Sequence, residues 1–330
     1  MELSYCVVNT NGRELLLECL RSIRETHPEG IGHEILVLDN ASDDGSAEAV
    51  EGKFPEARVI RQEHRAGLAD NNSRIMSEAR GEYCLLLNED SELLDGATRE
   101  LLDALRRDRG AAVAGAQLVN PEGQPIPCAW RYPSLETALA QALLLHKRLV
   151  TQSHGGEGPP RVVGWIQSCT MLIRREVADG LGYLDTDFFV YSEEVDFQKR
   201  MHDAGWRILH VPRARAIHHE QLATDRSPGG RRRIVQFHGG RDMYMQKHHS
   251  KPVVLLSRLL WSASYVPRAI AAMFMRGQDP GTYWAHARQA LRPGSGEGMR
   301  EAAEAYNAAL AASQGSGQVP ERSSSRAATS

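Results

Sequence analysis

Short apolar runs alternate with segments of helical period through the first 120 residues. Ser4–Val8 is apolar and is broken by Asn9, Asn11 and Gly12. Leu16, Cys19, Leu20 and Ile23 then recur on one face, predicting a helix from about Arg13 to Thr26. Asn11 and Glu14 stand at the spacing of a capping box. The next run, Glu34–Leu38, stops at Asp39, and the loop after it leads into a helix near Ser46–Gly52. Ala57–Arg61 predicts a strand, and Leu68–Ala79 a helix closed by Gly81. Tyr83–Leu87 predicts a strand running into Asn88, Glu89 and Asp90. A helix at Gly96–Arg107 and a strand at Ala111–Leu118 follow. Continuously apolar strands separated by helices predict a parallel α/β sheet buried on both faces. In such sheets ligands bind beyond the carboxyl ends of the strands, where Asp39 and Asp90 stand. An acid after a strand also serves as an ordinary turn residue or helix cap, so either acid alone decides nothing.

The composition narrows the class. The 330 residues are 42% hydrophobic and 25% charged, with a formal net charge of −3. That excludes a disordered, collagen-like or disulfide-scaffold chain and gives no whole-chain reason to expect nucleic acid. Five cysteines without a C-x-x-C pair are expected to be reduced and mostly buried. No G-x-G-x-x-G and no Walker lysine follows a strand, which argues against a dinucleotide or P-loop site. The strand-like start, with no signal peptide before it, leads to the expectation of a cytoplasmic protein.

Six blocks then occur in a telling order: VVNTNGRELLLECLRSI (7–23), EILVLDNASDDGS (34–46), GEYCLLLNED (81–90), RYPSL (131–135), WIQSCTMLIRRE (165–176) and FFVYSEEVDFQKRMHDAGW (188–206). In these blocks the chain resembles glycosyltransferase family 2, and within it the bacterial rhamnosyltransferases of cell-surface polysaccharide synthesis. The resemblance implies an α/β, GT-A-like (Rossmann-like) fold over residues 1–250: a mostly parallel central sheet flanked by helices, with a nucleotide-sugar half (about 1–120) and an acceptor half (about 121–250). Three positions depart from the family pattern. His64 stands where Asn is common, Glu193-Glu194 replaces Glu-Asp, and HHEQLAT replaces a small Gly/Ser run after the histidine.

The same resemblance implies the chemistry, an inverting, metal-dependent transfer of a sugar from a nucleoside diphosphate. Asp39 is expected to accept the N3–H of uracil or thymine, with Asn9, Asn11, Asn40, Gly67 and Asn88 around the donor. Asn11 equally suits a helix cap. Asp90 closes an N-x-D version of the D-x-D motif and is expected to hold Mg²⁺ or Mn²⁺, helped by His218 or His219. Alternation on a strand lets only one of those histidines face inward. Glu194 is the expected general base, with Glu193 and Asp196 orienting the loop or the acceptor. Three acids in one first helical turn also favour the helix dipole. Arg131 and Trp165 are expected on the acceptor side, although core packing explains the aromatic equally well. The expected donor is dTDP-rhamnose and the acceptor a saccharide or lipid-linked saccharide. A UDP-sugar donor (galactofuranose or a hexose) and an inactive nucleotide-sugar-binding module are the alternatives.

Charge is uneven. Residues 226–276 hold ten Lys/Arg and one acid, Asp242. With the apolar run 253–276, broken by Arg258, Arg268 and Pro267, this predicts a basic amphipathic helical extension over 251–312. Its helix pair is expected to lie in the plane of an anionic membrane, at the inner face of the plasma membrane. The polar stripe Ser257, Arg258, Ser262, Ser264, Arg268 and Arg276 would face water. Packing on the catalytic domain, or a homodimer face, is the alternative. His248-His249 reads as part of a basic surface patch, and 313–330 as a disordered tail.

Overall fold

A computed structural model describes residues 1–153, 155–219, 228–275 and 277–316. The first half forms β1 (Leu3–Asn9), α1 (Arg13–Thr26), β2 (His33–Asp39), α2 (Ser46–Lys53), β3 (Ala57–Arg61), α3 (Leu68–Ser77), β4 (Tyr83–Asn88), β5 (Ser91–Leu93), α4 (Ala97–Arg107) and β6 (Ala111–Val119). The second half adds β7 (Ala129–Trp130), α5 (Leu135–Ala142), α6 (His146–Leu149), β8 (Arg161–Val163), β9 (Trp165–Ile166), β10 (Thr170–Arg174), α7 (Arg175–Leu181), α8 (Glu193–Asp203) and β11 (Arg207–His218). Four helices follow: α9 (Pro228–His248), α10 (Lys251–Ala272), α11 (Pro280–Leu291) and α12 (Met299–Ser316).

The strands order as β3-β2-β1-β4-β10-β6-β11-β5, with β8 also on β11. β3, β2, β1 and β4 are parallel. β10 runs antiparallel between β4 and β6, so the sheet is mixed and mostly parallel, as expected. Alternate residues of β1 enter opposite cores. Tyr5 and Val7 pack with Leu16, Leu20 and Leu101 on one face, while Cys6 and Val8 pack with Leu36, Ile75 and Met76 on the other. Burial on both faces is why the strand has no polar alternation. All five cysteines are free and buried.

One local expectation fails, at the start of α1. Gly12, not Asn11, precedes α1, and no side chain caps it. Asp44 instead accepts from the Arg13 amide at 2.9 Å, while Asn11 accepts from the Asp43 amide. Ser192 precedes α8 without capping it; it and Tyr191 have φ of 75° and 67°. Two consecutive left-handed non-glycine residues cost conformational energy, and such strain gathers at functional sites.

The C-terminal helices fold back onto the domain. α10 continues through Pro267 as one helix, not a pair, and packs on α5 and α11. Its serine stripe is buried: Ser257 and Ser264 are fully inaccessible and Ser262 nearly so. Leu255, Leu256, Leu259 and Ile270 face outward instead. The expected polar face is thus the packing face, because small hydroxyls let helices approach closely and bond locally, as Ser264 Oγ does to the Trp261 carbonyl at 2.7 Å. No helix among the described residues is long and apolar enough to cross a membrane. α12 continues through Ser313–Ser316, where a tail was expected. The remainder of that tail, together with Arg226 and Arg276, lies outside the described residues.

Candidate active site

Register builds the site. Asn9 pairs with Asp39 at the ends of β1 and β2, and Val8 with Asn88 at the end of β4. Three polar strand ends therefore meet at one edge of the sheet. Asp39, 5% exposed, accepts from Asn9 Nδ2 (3.0 Å) and from the Ser42 amide (3.1 Å). Asn9 Oδ1 accepts from the Gly12 amide. Asn40 ties two loops together, donating to Thr10 Oγ1 and the Ala66 carbonyl and accepting from the Ala66 amide. Gly67 starts α3 beneath the loop at Phe189. A Cβ there would lie 2.5 Å from the Phe189 carbonyl oxygen, so only glycine lets the two segments meet.

Beyond β4 the chain turns at Glu89 and Asp90 into β5. That strand pairs antiparallel with the end of β11, setting His218 opposite Ser91. His218 Nε2 thereby lies 3.3 Å from Asp90 Oδ1, and both side chains are buried. The His218 Nδ1 has no hydrogen-bond partner. The adjacent histidine turns the other way: His219 Nε2 bonds Glu92. Among the described residues no group of three His, Cys, Asp or Glu is arranged to hold a metal ion alone. Asp90 and His218 do fit a hard cation that takes its remaining ligands from phosphate and water. Between them and the polar strand ends, Glu89 is half-buried against Gly12, and desolvation with the neighbouring Asp90 charge pushes its carboxyl up to about 8.

α8 brings a second carboxylate pair. Glu193 and Glu194 are 1% and 8% exposed, and each has one buried carboxyl oxygen without a hydrogen-bond partner. Burial pushes both upward. Glu193 goes well above the carboxylate range, raised further by the Glu194 charge. Backbone N–H groups and the hydrogen bond from Glu193 restrain Glu194. The helix is pinned by Gln198, whose amide exchanges two bonds with the Ile166 backbone at 2.8 and 2.7 Å.

Asp196 does not join this pair. It is fully buried under two cations and a histidine: Arg200 Nε at 2.9 Å, Lys247 Nζ at 2.9 Å and His248 Nε2 at 2.7 Å. It fastens α8 to α9. The same contacts correct the histidine patch, since His248 faces Asp196 and His249 bonds the Pro133 carbonyl. Trp165 stacks on Trp130 with ring centroids 4.6 Å apart and donates to the Arg131 carbonyl, leaving the Arg131 side chain exposed.

A cavity of about 740 Å³ opens beside the strand ends, lined by Thr10, Asn40, Asn88 and Glu89 together with Arg65, Arg232, Arg233 and Tyr306. The last four were not anticipated as site residues. Arg232 and Arg233 were read as part of a lipid-facing basic run. Tyr306 belongs to a stripe Met299, Ala302, Ala303 and Tyr306 whose three- and four-residue spacing was the available signal.

Comparison with known proteins gives the family and the fold. The family described as glycosyl transferase family 2 matches residues 4–182. An N-acetylglucosaminyl-diphospho-decaprenol L-rhamnosyltransferase of Mycobacterium tuberculosis is 27% identical over 233 residues, 66% of this chain and 75% of its own. The fold is similar to that of a mannosyltransferase from Pyrobaculum calidifontis solved with GDP-Man and Mn²⁺, with TM-score 0.55, 16% identity, and 94% of this chain and 86% of that one covered. It is also similar to GalNAc-T7 solved with UDP, GalNAc and Mn²⁺, with TM-score 0.54, 16% identity, and 93% and 57% covered. Both likenesses support the GT-A-like architecture.

Proposed function

This chain belongs to glycosyl transferase family 2 and is a glycosyltransferase, and from that premise we propose an inverting, metal-dependent transfer of rhamnose from dTDP-rhamnose to a lipid-linked saccharide. The carrying observation is the Asp90–His218 contact at 3.3 Å, next to a cavity large enough for a small-molecule donor. The M. tuberculosis relative, a rhamnosyltransferase named for a diphospho-decaprenol-linked sugar, supports the sugar and the acceptor class.

Asp39 takes the base edge, using lone pairs that Asn9 and Ser42 leave over. Asp90 and His218 would hold Mg²⁺ or Mn²⁺, and a cation there would supply positive charge to offset that of the diphosphate. Two relatives in fold were solved with Mn²⁺. Glu194 removes the proton of the acceptor hydroxyl. The acceptor oxygen then bonds the anomeric carbon from the face opposite the diphosphate, and the carbon–oxygen bond to the diphosphate breaks. Glu193 keeps its own proton and holds Glu194 in place. His219 has no part in this assignment, because its ring is committed to Glu92.

The acceptor side meets a membrane through apolar rather than basic residues. Leu255, Leu256, Leu259, Ile270 and Phe274 are exposed, and Leu143–Leu145 are exposed beside α10 at the end of α5. Several cations of the basic segment have internal partners instead: Arg258 on Asp242, Lys247 on Asp185 and Asp196, and Arg241 over the Trp261 ring.

A binding screen of dTDP- and UDP-sugars tests the donor. Preferential binding and turnover of dTDP-rhamnose is expected, whereas turnover of UDP-sugars alone contradicts the rhamnose assignment.

A further inference from the structure

The C-terminal helix belongs to the donor cavity. α12 contributes Met299, Ala302, Ala303 and Tyr306 to the lining, across from Val8, Asn40 and Asn88. It is fastened to the rim at one residue above all. Asn307 accepts from the Arg65 amide at 2.7 Å and donates to the Arg65 carbonyl at 2.9 Å, matching both backbone groups as a neighbouring strand would. The Tyr306 hydroxyl donates to the Ala41 carbonyl at 3.4 Å, in the loop that follows Asp39. The Arg65 guanidinium lies 3.4 Å from the Tyr306 ring centroid, close enough for a cation–π contact.

These contacts hold Arg65 in a definite place with part of its hydrogen-bonding capacity unused. Its Nε is buried and has no hydrogen-bond partner, and its approach to Asp43 is loose at 4.0 Å. A buried charged donor left unpaired is costly, and each such group calls for an explanation. Here the residue lines a cavity that also carries Arg232. An acceptor oxygen on an anionic ligand in this cavity would give the guanidinium a partner. With α12 in place, about 740 Å³ remains open, within the size of small-molecule sites. The helix acts as a wall of the cavity and not as a plug.

We propose that Arg65 binds an oxygen of the donor's nucleoside diphosphate, and that Tyr306 and Asn307 on α12 are positioning residues acting through Arg65. The inference rests on the donor-site reading above and adds to it a dependence on the far end of the chain. The test uses full-length protein, calorimetric titration with UDP and dTDP, and thermal melting as a check on folding. Arg65→Ala, Tyr306→Ala and Asn307→Ala should each weaken nucleotide binding, Arg65→Ala by about tenfold or more, as expected for a charged hydrogen bond. The double variant R65A/Y306A should bind no more weakly than Arg65→Ala alone, because the two residues act as one unit. Folded Tyr306→Ala and Asn307→Ala proteins that bind as wild type would overturn the positioning role, and tighter binding would overturn the wall and indicate occlusion. Simply additive losses would overturn action through Arg65. Wild-type protein that binds neither nucleotide would remove the donor reading, and this inference with it.

Discussion

His218 at the end of β11 and Asp90 at the turn after β4 are 128 residues apart in sequence and 3.3 Å apart in space. The short strand β5 joins them. It begins one residue after Asp90 and pairs antiparallel with the last residues of β11, so the histidine arrives beside the acid through backbone register. The following residue alternates to the opposite side of the strand, and His219 meets Glu92 there.

If this pair holds the cation, Asp90→Ala and His218→Ala should both lower metal-dependent turnover, with the carboxylate loss the larger. His219→Ala should leave the metal requirement unchanged. Titration of Mn²⁺ against rate checks the ranking, and equal sensitivity at both histidines would contradict it.

The acid limb of the pH–rate profile should lie above the ordinary glutamate range, because burial raises the Glu194 pKa and the base works only when ionised. Activity is then lost as pH falls through that raised value. Glu193→Leu removes a hydrogen bond that favours ionised Glu194, so the limb should move to still higher pH. Glu193→Gln keeps a donor and should move it little. A limb unmoved in both variants would separate Glu193 from the base.

Asp196 should matter to stability and not to chemistry. Removing one partner of a buried ion pair costs about 3–5 kcal/mol, with the lower end expected because Lys247 is one-third exposed. Urea unfolding of Asp196→Ala measures it. A loss of activity without loss of stability would restore a role in the site.

Membrane attachment should follow the exposed apolar row on α10 and the turn after it. Wild-type protein should float with anionic liposomes, and substitution of Leu259 and Phe274 by Asp should release it. Flotation unaffected by these changes, but abolished by removing the arginines, would favour the basic-segment mechanism.

The parallel half of the fold was legible because β1, β2 and β4 are buried on both faces and each ends at a polar residue. β10 is harder to see because the two-residue strand β9 and the loop after it precede Thr170–Arg174, with no helix between β9 and β10 to mark a crossover. Asp39, Asp90 and Glu194 were visible as strand-end and helix-start acids. Asp196 looked identical to its neighbours in sequence. Its partners Lys247 and His248 are some fifty residues away, and only the packing of α9 against α8 reveals them. The serines of α10 misled for a related reason: helical periodicity finds a polar stripe but does not say which side the protein covers. Arg65 and Tyr306 were hidden because their contact spans 241 residues.

The most direct test of the account replaces Glu194 by Gln, which keeps the shape and removes the base. Turnover of the sugar nucleotide into glycosylated acceptor should fall by about 10²–10⁴, the usual worth of a general base. Nucleotide binding should persist, and the residual wild-type product should carry the inverted anomeric configuration. A near-wild-type rate in Glu194→Gln, or a product of retained configuration, would contradict the proposed mechanism.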